Sequence, residues 1–309
     1  MNPIEKMILV MMKRDLTKVF ALEESLTQVP EMTLPIADAP ERSWPLLETF
    51  TSGDQLPYTL KAQTSIAKYM VAAGAQTRRA INSLGENPAE PRTQIESEEL
   101  EALIQSAYDQ GVGSIGFTRL PQKLIFKRRA ILFDSAIVLT RELTASAVQT
   151  SPSLENYVDS IRSYDELGAP TNDLVDQLRK LGFAAQASHP LGGLVLYPPL
   201  AAQAGLGKIG RHGLLITPEF GPRQRISAIF TSIENLPFVN ETAIEKEGCE
   251  DCGRCMAACP VGAFFPEPHF NDEGRRTSVD QAKCSKEFGA NNACSVCMKV
   301  CAQVNPGNR

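Results

Sequence analysis

All eight cysteines of this 309-residue chain lie between Cys249 and Cys301, and the first 248 residues have none. Cysteines placed so unevenly serve chemistry at one place rather than general packing. They form two runs, Cys249-x2-Cys252-x2-Cys255-x3-Cys259-Pro260 and Cys284-x9-Cys294-x2-Cys297-x3-Cys301. Three cysteines at two-residue intervals wrap a tight loop around one corner of a cubane, and a fourth thiolate must arrive from a distant segment. Gly253, Ala257, Ala258 and Gly262 keep that loop slim, so that backbone N–H groups can approach the sulfurs.

The first run has the spacing of bacterial ferredoxins, in which the fourth cysteine ligates the other cluster. The crossover predicts one 4Fe–4S cluster on Cys249, Cys252, Cys255 and Cys301, and a second on Cys284, Cys294, Cys297 and Cys259. Every cysteine is used. Structural zinc prefers two separated Cys pairs, and a third cysteine two residues on does not suit four-coordination. Disulfides conflict with a reducing compartment. No triplet has the Cys-x3-Cys-x2-Cys order of a radical-SAM site. The second run is stretched, with Ala302 where Pro often follows, which leaves a three-iron or labile second cluster open.

The balance of 31 Lys+Arg against 36 Asp+Glu gives a net charge of −5. A mildly acidic chain is a poor general binder of nucleic acid. The run Met7–Met12 is far shorter than the roughly 18–20 apolar residues of a membrane span and leads into Lys13-Arg14-Asp15, without a twin-Arg pair or cleavage site. A cytoplasmic protein, off the membrane, is expected. The chain divides into a helical and Pro-rich extension (1–90), an α+β domain (91–245) and a small cysteine-bearing domain (246–309).

Leu16, Val19, Phe20 and Leu22 suggest an early helix, and Pro30 to Pro57, with Trp44, an ordered arm. Ser97 opens a helix that stops at Gly111. Strands are expected at 112–118, 130–140, 183–187, 194–197, 214–217 and 225–233, with a helix at 200–204. Thr171 is a candidate N-cap for a helix ending at Gly182.

The segment upstream of the cysteines holds Ala204-Gly-Leu-Gly207, Gly210-Arg211-His212-Gly213 and Ile216-Thr217-Pro218-Glu219-Phe220-Gly221, then the strand Arg225–Ile233. With the cysteine tail, this ordered set resembles the cobalamin-dependent reductases, namely reductive dehalogenases and epoxyqueuosine reductase, over roughly 180–301. The resemblance implies a nitroreductase-like cobalamin-binding α+β domain followed by a bacterial-ferredoxin-like domain with two 4Fe–4S clusters. It implies cobalamin, with FMN as the alternative, at Gly205, Leu206, Gly207, Lys208, Gly210, Arg211, Ile216, Thr217 and Gly221. It also implies a proton donor at Tyr164 or Asp165, and an anion-holding Arg211. Ser163-Tyr-Asp-Glu-Leu167 stands where epoxyqueuosine reductase carries Asp-Tyr-His, and Gly221-Pro-Arg223 replaces its Gly-Ser-Trp. The Asp-x-His-x-x-Gly cobalamin motif is absent.

The implied activity is reductive dehalogenation or deoxygenation of a small organic molecule or modified base. Electrons would come from a low-potential donor of ferredoxin or flavodoxin type, and a homodimer follows from fold analogy. The rival classes are a non-catalytic dicluster electron carrier or scaffold, and a flavin-dependent reductase on a related fold. Gly205-Leu-Gly-Lys-Ile-Gly210 and Gly111-Val-Gly-Ser-Ile-Gly116 match Gly-x-Gly-x-x-Gly, but neither sits between a strand and a helix as dinucleotide binding requires. Arg119, Lys123, Lys127, Arg128 and Arg129 form a basic patch beside Phe126, read as a solvated loop or a docking face for an acidic donor or RNA. His189 and His212 are either site-lining or polar residues at strand ends.

Overall fold

The computed structural model describes residues 17–18, 21–30, 32–41, 60–239, 249, 251–270 and 276–303. Leu16, Val19, Phe20, Trp44, Pro45 and Pro57 lie outside the described residues. Leu22 falls in a helical stretch over 21–25 that tightens into a 3-10 turn at Leu26–Gln28.

In chain order the elements are α1 (Leu60–Asn82), α2 (Ser97–Asp109), β1 (Ser114–Arg119), β2 (Ser135–Glu142), α3 (Ala145–Gln149), α4 (Leu154–Lys180), β3 (Ala185–Ser188), α5 (Tyr197–Gln203), β4 (Lys208–Ile209), β5 (Leu215–Ile216) and β6 (Gln224–Thr231). The C-terminal region adds α6 (Arg254–Ala258), β7 (Phe264–Phe270), β8 (Arg276–Val279), α7 (Gln281–Ala290) and α8 (Val296–Lys299). This is the α+β class expected.

An antiparallel sheet in the order β1-β2-β6-β3 forms the centre. Successive strand side chains point to opposite faces, so a central strand buried on both sides reads as a continuous apolar run. In β2, Ile137 and Leu139 enter the core under α2 and α4, with Leu167, Leu174 and Leu178. Ala136 and Val138 enter a second core with Ile125, Leu200 and Phe230. Residues 130–134, expected in this strand, precede it. Of the expected strand at 194–197, Val195 makes a single bridge to Ile125, and Tyr197 opens α5.

Thr171 is not an N-cap. The helix begins 17 residues earlier, at Leu154, capped by Ser153, which accepts from Asn156 N at 3.1 Å. It continues through Pro170 because buried side chains on both sides of the proline pin it to the sheet. The Thr171 hydroxyl donates back to the Leu167 carbonyl at 2.7 Å and meets Ser227 Oγ at 2.8 Å. Tyr164 and Asp165 therefore sit mid-helix.

Within the segment read as an extension, α1 packs on the body. Ile66, Met70 and Ala73 of α1 pack on Tyr157 and Ile161 of α4, and Arg79 reaches Asp173 at 2.8 Å. The same cluster includes Ala293 and partly buried Phe288 from the cysteine-rich region. Asn156 donates to the carbonyls of Asn292 (3.1 Å) and Ala293 (2.8 Å), Ser295 N to Ser151 Oγ (2.8 Å), and Lys299 Nζ to the Ser151 carbonyl (2.9 Å). The C-terminal region is thus bonded onto the start of α4.

Candidate metal centre and redox site

Each cysteine run uses a short helix to carry its middle thiol inward. Cys255 lies in α6 and Cys297 in α8, and these helices pack together. Gly253 enters α6 with φ 58°, a left-handed conformation that glycine adopts freely. At the second run, Asn292 and Ala293 both have positive φ, 51° and 52°. That conformation costs roughly 1–2 kcal/mol per non-glycine residue. The two bonds from Asn156 hold it and deliver Cys294 inward.

The thiols influence one another in two sets. Burial chiefly raises the Cys301 pKa, and Cys249, Cys255 and Cys252 add to it. Burial likewise raises Cys255, with Cys249 and Cys252 adding. Burial pushes Cys284 up to about 11, with Cys259 and Cys294 adding. Cys294 is raised by burial, with Glu287 and Cys259 adding. Cys297 is pushed up strongly, first by burial and then by Cys284, Cys294 and Cys255. One set is Cys249, Cys252, Cys255 and Cys301. The other is Cys259, Cys284, Cys294 and Cys297, and the Cys255–Cys297 influence links the two. Four neighbouring thiols, most of them partly buried and Cys252 exposed, suit a multinuclear cationic cluster, which is bound through thiolates. Ala263 N also donates to Cys259 Sγ at 3.3 Å. No three His, Cys, Asp or Glu among the described residues converge on a single-ion site.

The first set shares a recess with the glycine segment. The recess is small and partly open to solvent, and Arg211 and His212 line it beside Cys249, Cys252, Cys255 and Cys301. Arg211 donates to the Pro266 carbonyl of β7. Its Nε is buried with no hydrogen-bond partner, as is Nε2 of His212. Burial lowers the His212 pKa to about 4.

The glycines expected to cradle a cofactor have their space filled by the protein. A Cβ on Gly207 would lie 2.2 Å from the Ile216 carbonyl oxygen, and one on Gly210 would lie 2.6 Å from His212 Cε1. Gly205 faces Val239, and Gly116 of the second Gly-x-Gly-x-x-Gly match faces Ala204. These positions close the β4–β5 hairpin against its neighbours. Ile216, Thr217 and Gly221 are buried, and Thr217 spends its hydroxyl on Phe220 N (3.1 Å) and Gln224 (3.3 Å). Leu206, Lys208 and Arg211 stay half-buried at the surface of this segment.

Tyr164 and Asp165 face different surroundings. The Tyr164 ring packs on the cluster containing Leu191 and Ala293, and the Arg225 guanidinium lies over it at 3.9 Å from its centre. Arg225 is fixed by Ser163 Oγ at 3.0 Å and the Ser160 carbonyl at 3.1 Å. Asp165 has a raised pKa, chiefly from burial and then from Glu166, with Lys68 of α1 opposing.

A 4Fe-4S binding domain model matches residues 242–265. Over 182 residues the chain is 35% identical to a tetrachloroethene reductive dehalogenase of Desulfitobacterium hafniense, covering 54% of this chain and 32% of that protein. Over 84 residues it is 33% identical to the epoxyqueuosine reductase of Listeria monocytogenes, covering 27% and 21%. The chain is related to reductive dehalogenases and epoxyqueuosine reductases. It spans about a third of the length of the dehalogenases it matches. The solved structure of a catabolic reductive dehalogenase in complex with 3-bromo-4-hydroxybenzoic acid superposes with a TM-score of 0.62 at 19% identity, covering 80% of this chain and 40% of that one. The fold is shared with these dehalogenases.

Four of the five cations of the basic patch have carboxylate partners within the chain. Arg119 pairs with Asp134 (2.8 Å), Lys127 with Glu41 (3.4 Å) and Arg128 with Glu24 (3.6 Å), and buried Arg129 with buried Glu23 (3.2 Å). Lys123, Lys127 and Arg128 stay exposed, in keeping with a solvated loop. His189 is a core residue: its Nδ1 accepts from Leu191 N at 3.0 Å and lies 3.0 Å from the Thr77 hydroxyl. Arg225 and Asn156 escaped the sequence reading because their partners come from elements far apart in sequence.

Proposed function

We propose that the chain is the electron-relaying and proton-donating part of an iron–sulfur, cobalamin-dependent reductase acting on a small halogenated organic molecule. The observation that carries this reading is the recess that brings Cys249, Cys252 and Cys255 of the first run together with Cys301 of the second, beside Arg211 and His212. The residues fit two 4Fe–4S clusters in crossed ligation, one on Cys249, Cys252, Cys255 and Cys301 and the other on Cys259, Cys284, Cys294 and Cys297. The packing of α6, which carries Cys255, on α8, which carries Cys297, supports clusters close enough to pass electrons. Similarity to tetrachloroethene reductive dehalogenases supports the substrate class. A solved dehalogenase of the same fold, at a TM-score of 0.59, is described as suggesting a mechanism for B12-dependent dehalogenation, which supports cobalamin.

For cobalamin the glycines offer no cradle, since protein atoms occupy their open sides. Leu206, Lys208 and Arg211 are the residues of the segment that a corrin and its amides would touch. When bound, cobalamin supplies a strongly reducing metal centre. The chain's own residues do the rest. The overall change is R–X plus two electrons and one proton giving R–H and X⁻. Tyr164 Oη holds the proton, and Arg225 stacked over its ring positions it.

The test uses anaerobically purified protein, with iron, cobalt and flavin counted, titrated with cobalamin and supplied with a low-potential reductant. Halide release from a halogenated alkene or phenol that depends on added cobalamin is expected. Release that depends on flavin, deoxygenation of an epoxide alone, or iron without affinity for either cofactor would overturn the reading; the last would indicate an electron carrier.

A further inference from the structure

His212 comes from the turn between β4 and β5, outside the cysteine-rich region, yet it lines the recess of the first thiol set. The ring is 5% exposed. Its Nδ1 accepts from Leu214 N at 3.2 Å, so the proton of the neutral ring sits on Nε2. That nitrogen is buried and has no partner in the structure. Gly210 is glycine because any Cβ would strike the ring, so the hairpin is shaped to admit it. A buried N–H without an acceptor is costly, and a cluster with its anionic thiolates and sulfides is an acceptor of the right sign.

We propose that His212 donates its Nε2–H to the iron–sulfur cluster held by Cys249, Cys252, Cys255 and Cys301, and so sets that cluster's reduction potential from the upstream body. The proposal rests on the two-cluster reading. A hydrogen bond to a cluster sulfur stabilises the more negative, reduced state, and such bonds are among the main determinants of cluster potential. The body carrying the glycine segment thereby adjusts the relay at its point of contact, and the second cluster is untouched.

The experiment is an EPR-monitored redox titration of the full chain, wild type, His212→Phe and His212→Gln, with iron counted in each. Two reducible clusters in the wild type establish the underlying reading separately. In His212→Phe, one midpoint should fall enough to change the reduced-to-oxidised ratio about tenfold at fixed potential, about 59 mV for one electron. The other should stay, and His212→Gln, which keeps a donor of similar reach, should restore most of the shift. Two unmoved midpoints at full iron content would overturn the proposal. If His212→Phe loses iron, the decisive measurement is pulsed EPR on reduced His269→Gln protein carrying 15N-labelled histidine. Coupling of one cluster to a histidine nitrogen is expected, and its absence would overturn the assignment.

Discussion

The guanidinium carbon of Arg225, on β6, stands 3.9 Å from the centre of the Tyr164 ring on α4. Ser163 Oγ and the Ser160 carbonyl fix that guanidinium, so the cation–π contact holds the ring in place. Asp165, one residue on, meets Glu166 and Lys68 instead. Tyr164→Phe should cut turnover roughly 10²–10⁴-fold, the usual worth of a general acid, with iron content unchanged. Arg225→Leu should cut it less, and Arg225→Lys should recover part. Single-turnover halide release measures all three, and wild-type rates in Tyr164→Phe would remove it as the proton donor.

Asp165→Asn should leave turnover within a few-fold and raise stability at neutral pH. Its carboxyl is raised in the folded state, so the folded protein prefers it protonated. That preference favours folding at low pH and is lost as pH rises through the ordinary carboxylate range and just above it. Denaturant melts at pH 4 and pH 7 should show the variant gaining only at the higher pH.

His189 gives the opposite slope. Burial holds its pKa at about 4 against 6.5, so stability is fully present above pH 6.5 and falls as pH drops toward 4. The loss is roughly 3 kcal/mol across that window. His189→Gln should flatten the slope in a urea-melt series. Its Nε2 abuts α4 so closely that a Cβ on Gly168 would lie 1.7 Å away, and Gly168→Ala should destabilise by about 3 kcal/mol or more.

Arg129 and Glu23 are each about 5% exposed in their side chains and 3.2 Å apart. Removing one partner of such a buried pair costs roughly 3–5 kcal/mol. Glu23→Ala should therefore lower the unfolding free energy by that order. A change under 1 kcal/mol in a denaturant melt would contradict the pairing.

Asn156→Ala removes both bonds that hold Asn292 and Ala293 in their left-handed turn. Cys294 follows directly, so the cluster on Cys259, Cys284, Cys294 and Cys297 should become labile while the other is retained. Iron release to a chelator should become biphasic, and a wild-type profile would count against it.

The sequence exposes what local spacing encodes. Cysteine intervals predict a crossed ligand set, and β2 reads as a strand because both its faces are buried. It does not expose what tertiary contact decides. Thr171 carries a cap's side chain, yet Leu167 and Ser227 take its hydroxyl, and packing carries α4 through Pro170. The glycine segment reads as a cofactor cradle because a glycine that leaves room and a glycine that is filled look identical in sequence. Only Ile216 and His212, seated against Gly207 and Gly210, distinguish them. The basic patch reads as open because its acidic partners lie about ninety or a hundred positions upstream in the cases of Glu23, Glu24 and Glu41.

The most direct test of the crossed relay is iron content and EPR of paired cysteine variants. Cys249→Ala/Cys301→Ala removes two ligands of one set and should leave about four irons and one intact cluster signal. Cys249→Ala/Cys259→Ala strikes both sets and should lose both clusters. The reverse pattern, with Cys249→Ala/Cys301→Ala losing both and Cys249→Ala/Cys259→Ala keeping one, would mean that each run ligates its own cluster and would contradict the account.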